Sequence, residues 1–125
     1  MSPSLTIALD AMGGDDAPTI VVKGADFARR RFPGLRFQMF GDESQLLPLI
    51  KRRKRLREIT EITHTGESIS NEMKVSDALR KGRQSSMQLA INSVKEGNAA
   101  GVVSAGNTGA LMAMAKLALR TLPGI

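Results

Sequence analysis

Gly101-Val-Val-Ser-Ala-Gly-Asn-Thr-Gly-Ala-Leu-Met112 is the stretch that decides the fold. It reads as a short buried strand from Gly101 to Ser104, a tight turn, and a helix running to about Leu119. The helix is apolar nearly all round, from Ala110, Leu111 and Met112 to Leu117 and Leu119, so it is expected to be buried rather than amphipathic. Gly106 and Gly109 permit a sharp turn and close backbone approach. Asn107 and Thr108 carry side chains suited to capping the unpaired N–H groups of a helix start. A strand that feeds a glycine turn into a helix N-terminus makes a ready anion site, because N–H groups and helix dipole face the ligand together. The same spacing also fits a strand–helix connection that packs tightly and binds nothing, and glycine spacing alone does not choose between the two.

Working outward, a second glycine turn lies near the other end of the chain. Leu5, Ile7 and Leu9 alternate in a first strand that runs into Asp10-Ala-Met-Gly-Gly-Asp-Asp-Ala-Pro18. Gly13 and Gly14 supply unusual backbone angles there, while Asp10 and Asp15 place carboxylates at the strand's carboxyl edge, where open α/β sheets bind ligands. The plain alternative is a turn that Asp caps and Gly bends. Asp15 and Asp16 are adjacent and point apart, so no metal site is expected.

Pro18 suits a first helical turn. Val21, Ala25, Ala28 and Phe32 then share one helical face, Arg29 to Arg31 suit its last turn, and Pro33-Gly34 ends it. Leu35, Phe37 and Met39 alternate in a second strand closing at Gly41. Asp42 and Gln45 resemble a capping pair for a helix carrying Leu46, Leu47 and Ile50, in which Pro48 marks either a kink or the true first turn. Lys51-Arg-Arg-Lys-Arg-Leu-Arg57 reads as a solvated helix end plus a loop, or as a docking patch for an acidic partner or membrane surface. Ile59 to Thr63 is a third strand, His64 a structural histidine at its end, and Gly66 to Asn71 a loop.

Ser76 is placed to cap a short helix ending near Gly82, and Ser85 or Ser86 the next, whose Met87, Ala90, Ile91 and Val94 share a face. Gly97-Asn98 stops that helix. Lys74, Arg80, Ser85 and Ser86 supply charged and hydroxyl donors to a bound anion, or serve as caps and surface charge. Strands alternating with helices imply βαβ units and a mainly parallel sheet with helices on both faces. Both glycine turns then lie on the edge of the strand carboxyl ends, and their convergence there is stronger evidence for a site than either motif.

Composition bounds the function. With 125 residues the chain holds one domain with a modest core, and 42% hydrophobic and 24% charged residues describe an ordinary globular protein. No apolar run is long enough to span a membrane, and Met1-Ser-Pro-Ser-Leu-Thr-Ile lacks the features of a secretory signal. Zero cysteines exclude disulfides and thiol nucleophiles, and a single His argues against a histidine metal site or a Ser–His pair. The net charge of +6 favours anionic partners. Nucleic acid fits poorly, since four Phe and no Tyr or Trp leave few stacking platforms.

Three motifs together, Asp10-Ala-Met-Gly-Gly-Asp15, Ala78-Leu-Arg80 with Ser85-Ser86-Met87, and Ser104-Ala-Gly-Asn-Thr-Gly-Ala-Leu111, closely resemble the acyl-carrier-protein:phosphate acyltransferase family. The resemblance covers essentially the whole chain, in the family's order. It corresponds to the N-terminal portion of enzymes more than twice as long, so the chain looks like a truncated product or fragment of a single domain. Val75 stands where the family commonly has Pro, and Asp16-Ala17 where an aromatic–Gly pair is usual.

The resemblance implies a Rossmann-like three-layer fold, related to isocitrate dehydrogenase and phosphotransacetylase, in a cytoplasmic homodimer with peripheral membrane contact from a region outside this sequence. It implies transfer of a fatty acyl group from acyl carrier protein to inorganic phosphate, with no cofactor and no nucleic-acid partner. The turn from Ser104 to Gly109, with Gly106, Asn107 and Thr108, would bind phosphate or the thioester oxygen. Lys74, Arg80, Ser85 and Ser86 would assist, with Asn107 and Arg80 as catalytic candidates. Asp10, Gly13, Gly14 and Asp15 would shape the floor. The basic run Lys51 to Arg57 is the candidate contact for the acidic carrier protein. Other readings are a nucleotide-binding α/β module, although no Gly-x-Gly-x-x-Gly turn follows the first strand, a basic interaction module, and a catalytically inactive fragment.

Overall fold

The computed structural model describes residues 4–119. Its strands are β1 (Leu5–Asp10), β2 (Leu35–Gly41), β3 (Thr60–His64) and β4 (Gly101–Val103). Its helices are α1 (Thr19–Arg31), α2 (Glu43–Lys51), α3 (Lys54–Glu58), α4 (Val75–Lys81), α5 (Ser86–Lys95) and α6 (Thr108–Leu119). All pairings are parallel, in the order β3-β2-β1-β4. The chain steps from β1 to β2 to β3 in one direction, then returns to lay β4 on the far side of β1. The strand order therefore reverses between β1 and β4, which is where open α/β sheets form their ligand crevice.

Period-two alternation sorts the side chains between two layers. Leu9, Phe37 and Met39 face α1, α2 and α3, where they pack with Val22, Ala25, Leu46, Ile50 and Leu56. Ala8 and Phe40 face the other way, onto Ala90 of α5. Gln38 shares that second face and accepts a hydrogen bond from the buried Ser93 hydroxyl of α5. A further cluster joins α4, α5 and α6 through Ala78, Met87, Ile91, Ala110 and Met114. The expected three-layer α/β architecture with helices on both faces is present.

Several local expectations are corrected. The α6 helix is buried on one stripe only, Ala110, Met114 and Ala118, because its neighbours α4 and α5 lie on one side; Met112 and Leu117 are exposed. The β4 strand ends at Val103 rather than Ser104 and is an edge, with Val103 57% exposed. Phe32 lies outside the α1 face, as the exposed residue that ends the helix, and the buried stripe runs through Val22, Ala25 and Asp26. Leu47 is exposed, and Pro48 sits inside α2, which continues to Lys51. Ser44 N–H and Gln45 Nε2 donate to Asp42, so the capping pair is one-sided. The basic run is not a loop after its helix end: Arg53 opens α3, whose Leu56 is fully buried. The third strand starts at Thr60, leaving Ile59 as the residue that ends α3. His64 is structural, its Nδ1 accepting from the Glu43 N–H at 3.1 Å. Lys74, not Ser76, occupies the cap position of α4.

Candidate functional site

The site grows from Asp10, the last residue of β1. Its place at the strand's carboxyl end, with the parity of Ala8, turns it toward the α5 layer, and it is only 3% exposed. A buried carboxylate has to be matched by donors. Ser86 Oγ donates to Oδ1 at 2.5 Å, Ser104 Oγ to Oδ2 at 2.8 Å, and the Met12 N–H to Oδ1 at 3.2 Å. Three separate segments, the ends of β1 and β4 and the start of α5, are thereby pinned at the point where the strand order reverses.

The two glycine turns then meet backbone to backbone. A Cβ on Gly13 would stand 2.7 Å from Asp10 Oδ2, 2.9 Å from Ser104 Oγ and 3.0 Å from the Gly106 N. One on Gly106 would stand 3.2 Å from the Gly13 Cα. Gly13 admits no side chain without moving the carboxylate cluster, and one on Gly106 would press on the Gly13 backbone. Gly14 adopts φ +97°, a conformation that favours glycine, and lies over the Ala105 carbonyl. The Gly106 N–H donates to Ser104 Oγ at 3.2 Å, so N–H, hydroxyl and carboxylate form a relay into Asp10.

At the start of α6, Asn107 Oδ1 accepts from the Ala110 N–H at 3.1 Å, the geometry of an N-cap. Its Nδ2 donates to the Ser70 and Met73 carbonyls at 3.1 and 2.8 Å. The Asn107 side chain is thus fully engaged in the scaffold. Among the described residues, the N–H groups of Asn107, Thr108 and Gly109 take no protein acceptor, and Thr108 and Gly109 are exposed. These donors, with the positive end of the α6 dipole, are what the turn offers an anion.

The remaining sequence-derived candidates divide. Asp15 sits on the exposed rim, held by Asn71 Nδ2 at 3.0 Å. Lys74 is exposed next to Val75, whose Cγ2 lies 3.0 Å from a Cβ built on Gly109, so it belongs to the same rim. Ser85 is buried and caps α5, donating to the Gly82 carbonyl and accepting from the Gln88 N–H; it makes no bond to the Asp10 cluster. Arg80 is turned outward in an ion pair with Asp77 of its own helix, at 2.7 Å, and likewise makes no bond to that cluster.

Sequence reasoning missed a buried ion-pair centre. Asp26 lies inside α1 and accepts from Arg29, Arg30 and Arg53 at 2.9, 2.9 and 2.7 Å. The spacing of Asp26 to Arg29 and Arg30 was a readable helical signal; the reach of Arg53 from the α2–α3 junction was not. Among the described residues, no group of acidic, His or Cys side chains could hold a metal ion, and no helix is long and apolar enough to cross a membrane.

A four-stranded all-parallel sheet flanked by helices on both faces, with its strand order reversing between β1 and β4, defines a Rossmann-like α/β fold. The chain belongs to the fatty acid synthesis protein family, whose model matches residues 5–125. It is 59% identical over 125 residues to the phosphate acyltransferase of Rhodospirillum rubrum and 55% identical over 125 residues to that of Paramagnetospirillum magneticum. It is 54% identical to the phosphate acyltransferase of Rhodospirillum centenum. Each match takes in 100% of this chain but only 35–36% of the relative, so the chain spans about a third of those proteins' length.

Proposed function

We propose that this chain acts in transfer of a fatty acyl group from acyl carrier protein to inorganic phosphate, giving acyl-phosphate for phospholipid synthesis. The observation that carries the reading is the junction of the two glycine turns over Asp10, which leaves the free N–H groups of the α6 start open at the reversal point. Family membership and the relatives' name supply the reaction class.

In this reading a phosphate oxygen attacks the thioester carbonyl directly. The C–S bond breaks as the C–O bond forms, and the proton of hydrogen phosphate leaves with the carrier's thiol. No protein nucleophile enters. The chain's task is to hold phosphate in line and to oppose the developing oxyanion with N–H donors. The N–H groups of Asn107, Thr108 and Gly109 do this; Asp10, Ser86, Ser104, Gly13 and Gly106 keep the turn in shape, with Gly14 and Asp15 at its floor and rim. Asn107 acts by fixing the helix start. Lys74 and Arg80 bring positive charge to the approach, and Ser85 holds the start of α5. The basic segment Lys51 to Arg57 receives the acidic carrier protein. The reading includes a cytoplasmic homodimer that meets the membrane at its surface.

Formation of acyl-phosphate from acyl carrier protein thioester and phosphate tests it, with a Gly106→Val, Asn107→Ala variant alongside. Activity in the parent and its loss in the variant support the phosphate site. A folded parent without activity overturns the proposal for this chain and assigns the chemistry to the length found only in the longer relatives.

A further inference from the structure

At the amino edge of the sheet, the end of α1 and the short α3 enclose a concave space of about 630 Å³. Among the described residues its wall is Arg29, Arg30, Lys54, Arg55 and Glu58, with Pro33 and Ile59 as the apolar part. Pro33 shortly precedes β2 and Ile59 directly precedes β3, which fixes the space at that edge. The polar junction at Asp10 lies at the other end of the strands, roughly 17 Å away along β1 at strand rise. Asp26, which is buried and does not line the space, accepts from Arg29 on Oδ1 and from Arg30 and Arg53 on Oδ2. Among the described residues Lys54, Arg55 and Glu58 form no ion pair. With three guanidinium groups on one carboxylate, and Lys54 and Arg55 against Glu58, the region keeps an excess of three positive charges.

We propose that this space binds a diphosphate group, as an anion site separate from the turn at Ser104 to Gly109. The inference does not rest on the acyl-transfer reading. A guanidinium presents its N–H donors in a planar fork that matches phosphate oxygens. Arg30 spends Nη2 on Asp26, which leaves its Nε and Nη1 without a protein acceptor among the described residues. Arg29 spends Nε and Nη2 and keeps Nη1 in the same way. Asp26 holds both side chains in place, so less rotamer freedom is left to lose when an anion arrives. Neutralising Asp26 does not require three arginines, and the surplus charge borders a space of small-molecule size. A phosphomonoester carries about 1.5–2 negative charges, so an excess of three is better matched by a diphosphate. With only Pro33 and Ile59 apolar in the described wall, a lipid tail or an apolar peptide fits the space poorly.

Lys54 and Arg55 provide the test, because both are exposed and their replacement leaves the Asp26 cluster intact. Inorganic diphosphate, ADP and orthophosphate are titrated calorimetrically into the parent, a Lys54→Gln, Arg55→Gln double variant, Glu58→Gln and Gly106→Val, with circular dichroism for folding. The expected result is saturable diphosphate binding, tighter than that of orthophosphate, that weakens as salt rises. It falls at least about tenfold in the double variant and tightens about fivefold in Glu58→Gln, where an opposing charge is removed. A folded Gly106→Val that still binds diphosphate supports a site away from the turn. ADP that binds as tightly as the inorganic ion makes a nucleotide's diphosphate the source, and ADP that does not makes the free ion the source; both support the site. No saturable binding, binding no tighter than that of orthophosphate, or binding retained in the double variant overturns the proposal. Binding lost only in a folded Gly106→Val overturns it too and moves the ion to the turn. An acidic carrier protein or phosphatidic acid vesicles that bind through Lys54 and Arg55 while diphosphate does not also overturn it, and make the face a macromolecular contact.

Discussion

Ser86 donates its hydroxyl to Asp10 Oδ1 over 2.5 Å, joining residues 76 positions apart, both buried. The bond ties the first turn of α5 to the end of the central strand. A donor to a buried carboxylate is worth about 1.5–3 kcal/mol, because its removal leaves charge unmatched. Ser86→Ala is expected to lower the urea unfolding free energy by that amount. Ser44→Ala removes a hydroxyl that donates to Asp42 at the exposed start of α2, and is expected to change stability by no more than about 0.5 kcal/mol. Equal effects for the two would remove Asp10 from its place as the anchor of the site.

The glycines make a second pair. Gly13→Ala puts a methyl 2.7 Å from Asp10 Oδ2 and 3.0 Å from the Gly106 backbone nitrogen. Overpacking of this kind costs about 1–3 kcal/mol, and here it also moves the anion-binding turn. Gly24→Ala meets nothing within 4 Å and is expected to raise stability by up to about 1 kcal/mol through helix propensity. Urea midpoints at unchanged slope read both. A neutral Gly13→Ala would mean that the two turns do not pack as tightly as drawn.

Local periodicity made much of this architecture legible. Leu5, Ile7 and Leu9 and then Leu35, Phe37 and Met39 alternate as strands, and Met87, Ala90 and Ile91 recur as a helix face, so parallel βαβ units follow. The meeting of the two glycine turns at one sheet edge followed from that topology. What periodicity does not carry is neighbourhood. The α6 helix has apolar residues on all sides, yet among the described residues its packing partners lie on one side, and Met112 and Leu117 are exposed. Asn107 and Ser85 belong to residue types that donate to ligands, and whether they do so or brace the scaffold depends on carbonyls supplied by distant or adjoining turns. The third ligand of Asp26 comes from Arg53, 27 residues away. No spacing rule reaches that far.

Asn107 joins two functions that separate substitutions can divide. Its Oδ1 caps α6 at the Ala110 N–H, and its Nδ2 tethers the Ser70 and Met73 carbonyls. Asn107→Asp keeps the acceptor and loses the tether, whereas Asn107→Ala loses both. Loss of the cap alone costs about 0.5–2 kcal/mol. Hydrogen exchange is expected to show the 70–73 segment opening in both variants, and the first turn of α6 opening only in Asn107→Ala. Protection of the 70–73 segment in Asn107→Asp would show that the tether contributes nothing.

Asp26 gives the clearest pH dependence. Burial pushes its carboxyl up, but hydrogen bonds from Arg30, Arg29 and Arg53 outweigh burial and lower it from 3.8 to about 2. The folded value lies below the unfolded one, so the stabilisation is complete above the unfolded value and is lost as pH falls through about 2. Lowering from 3.8 to about 2 corresponds to about 2.5 kcal/mol. With Arg30 63% exposed and Arg53 31% exposed, solvent screening reduces this to about 1–2 kcal/mol. Asp26→Asn is therefore expected to destabilise the protein by about that amount at neutral pH. The gap between parent and variant should narrow between about pH 4 and pH 2, read from urea midpoints across that range. A gap that stays constant as pH falls would show that Asp26 acts through packing, and that the charge of the three arginines is balanced elsewhere.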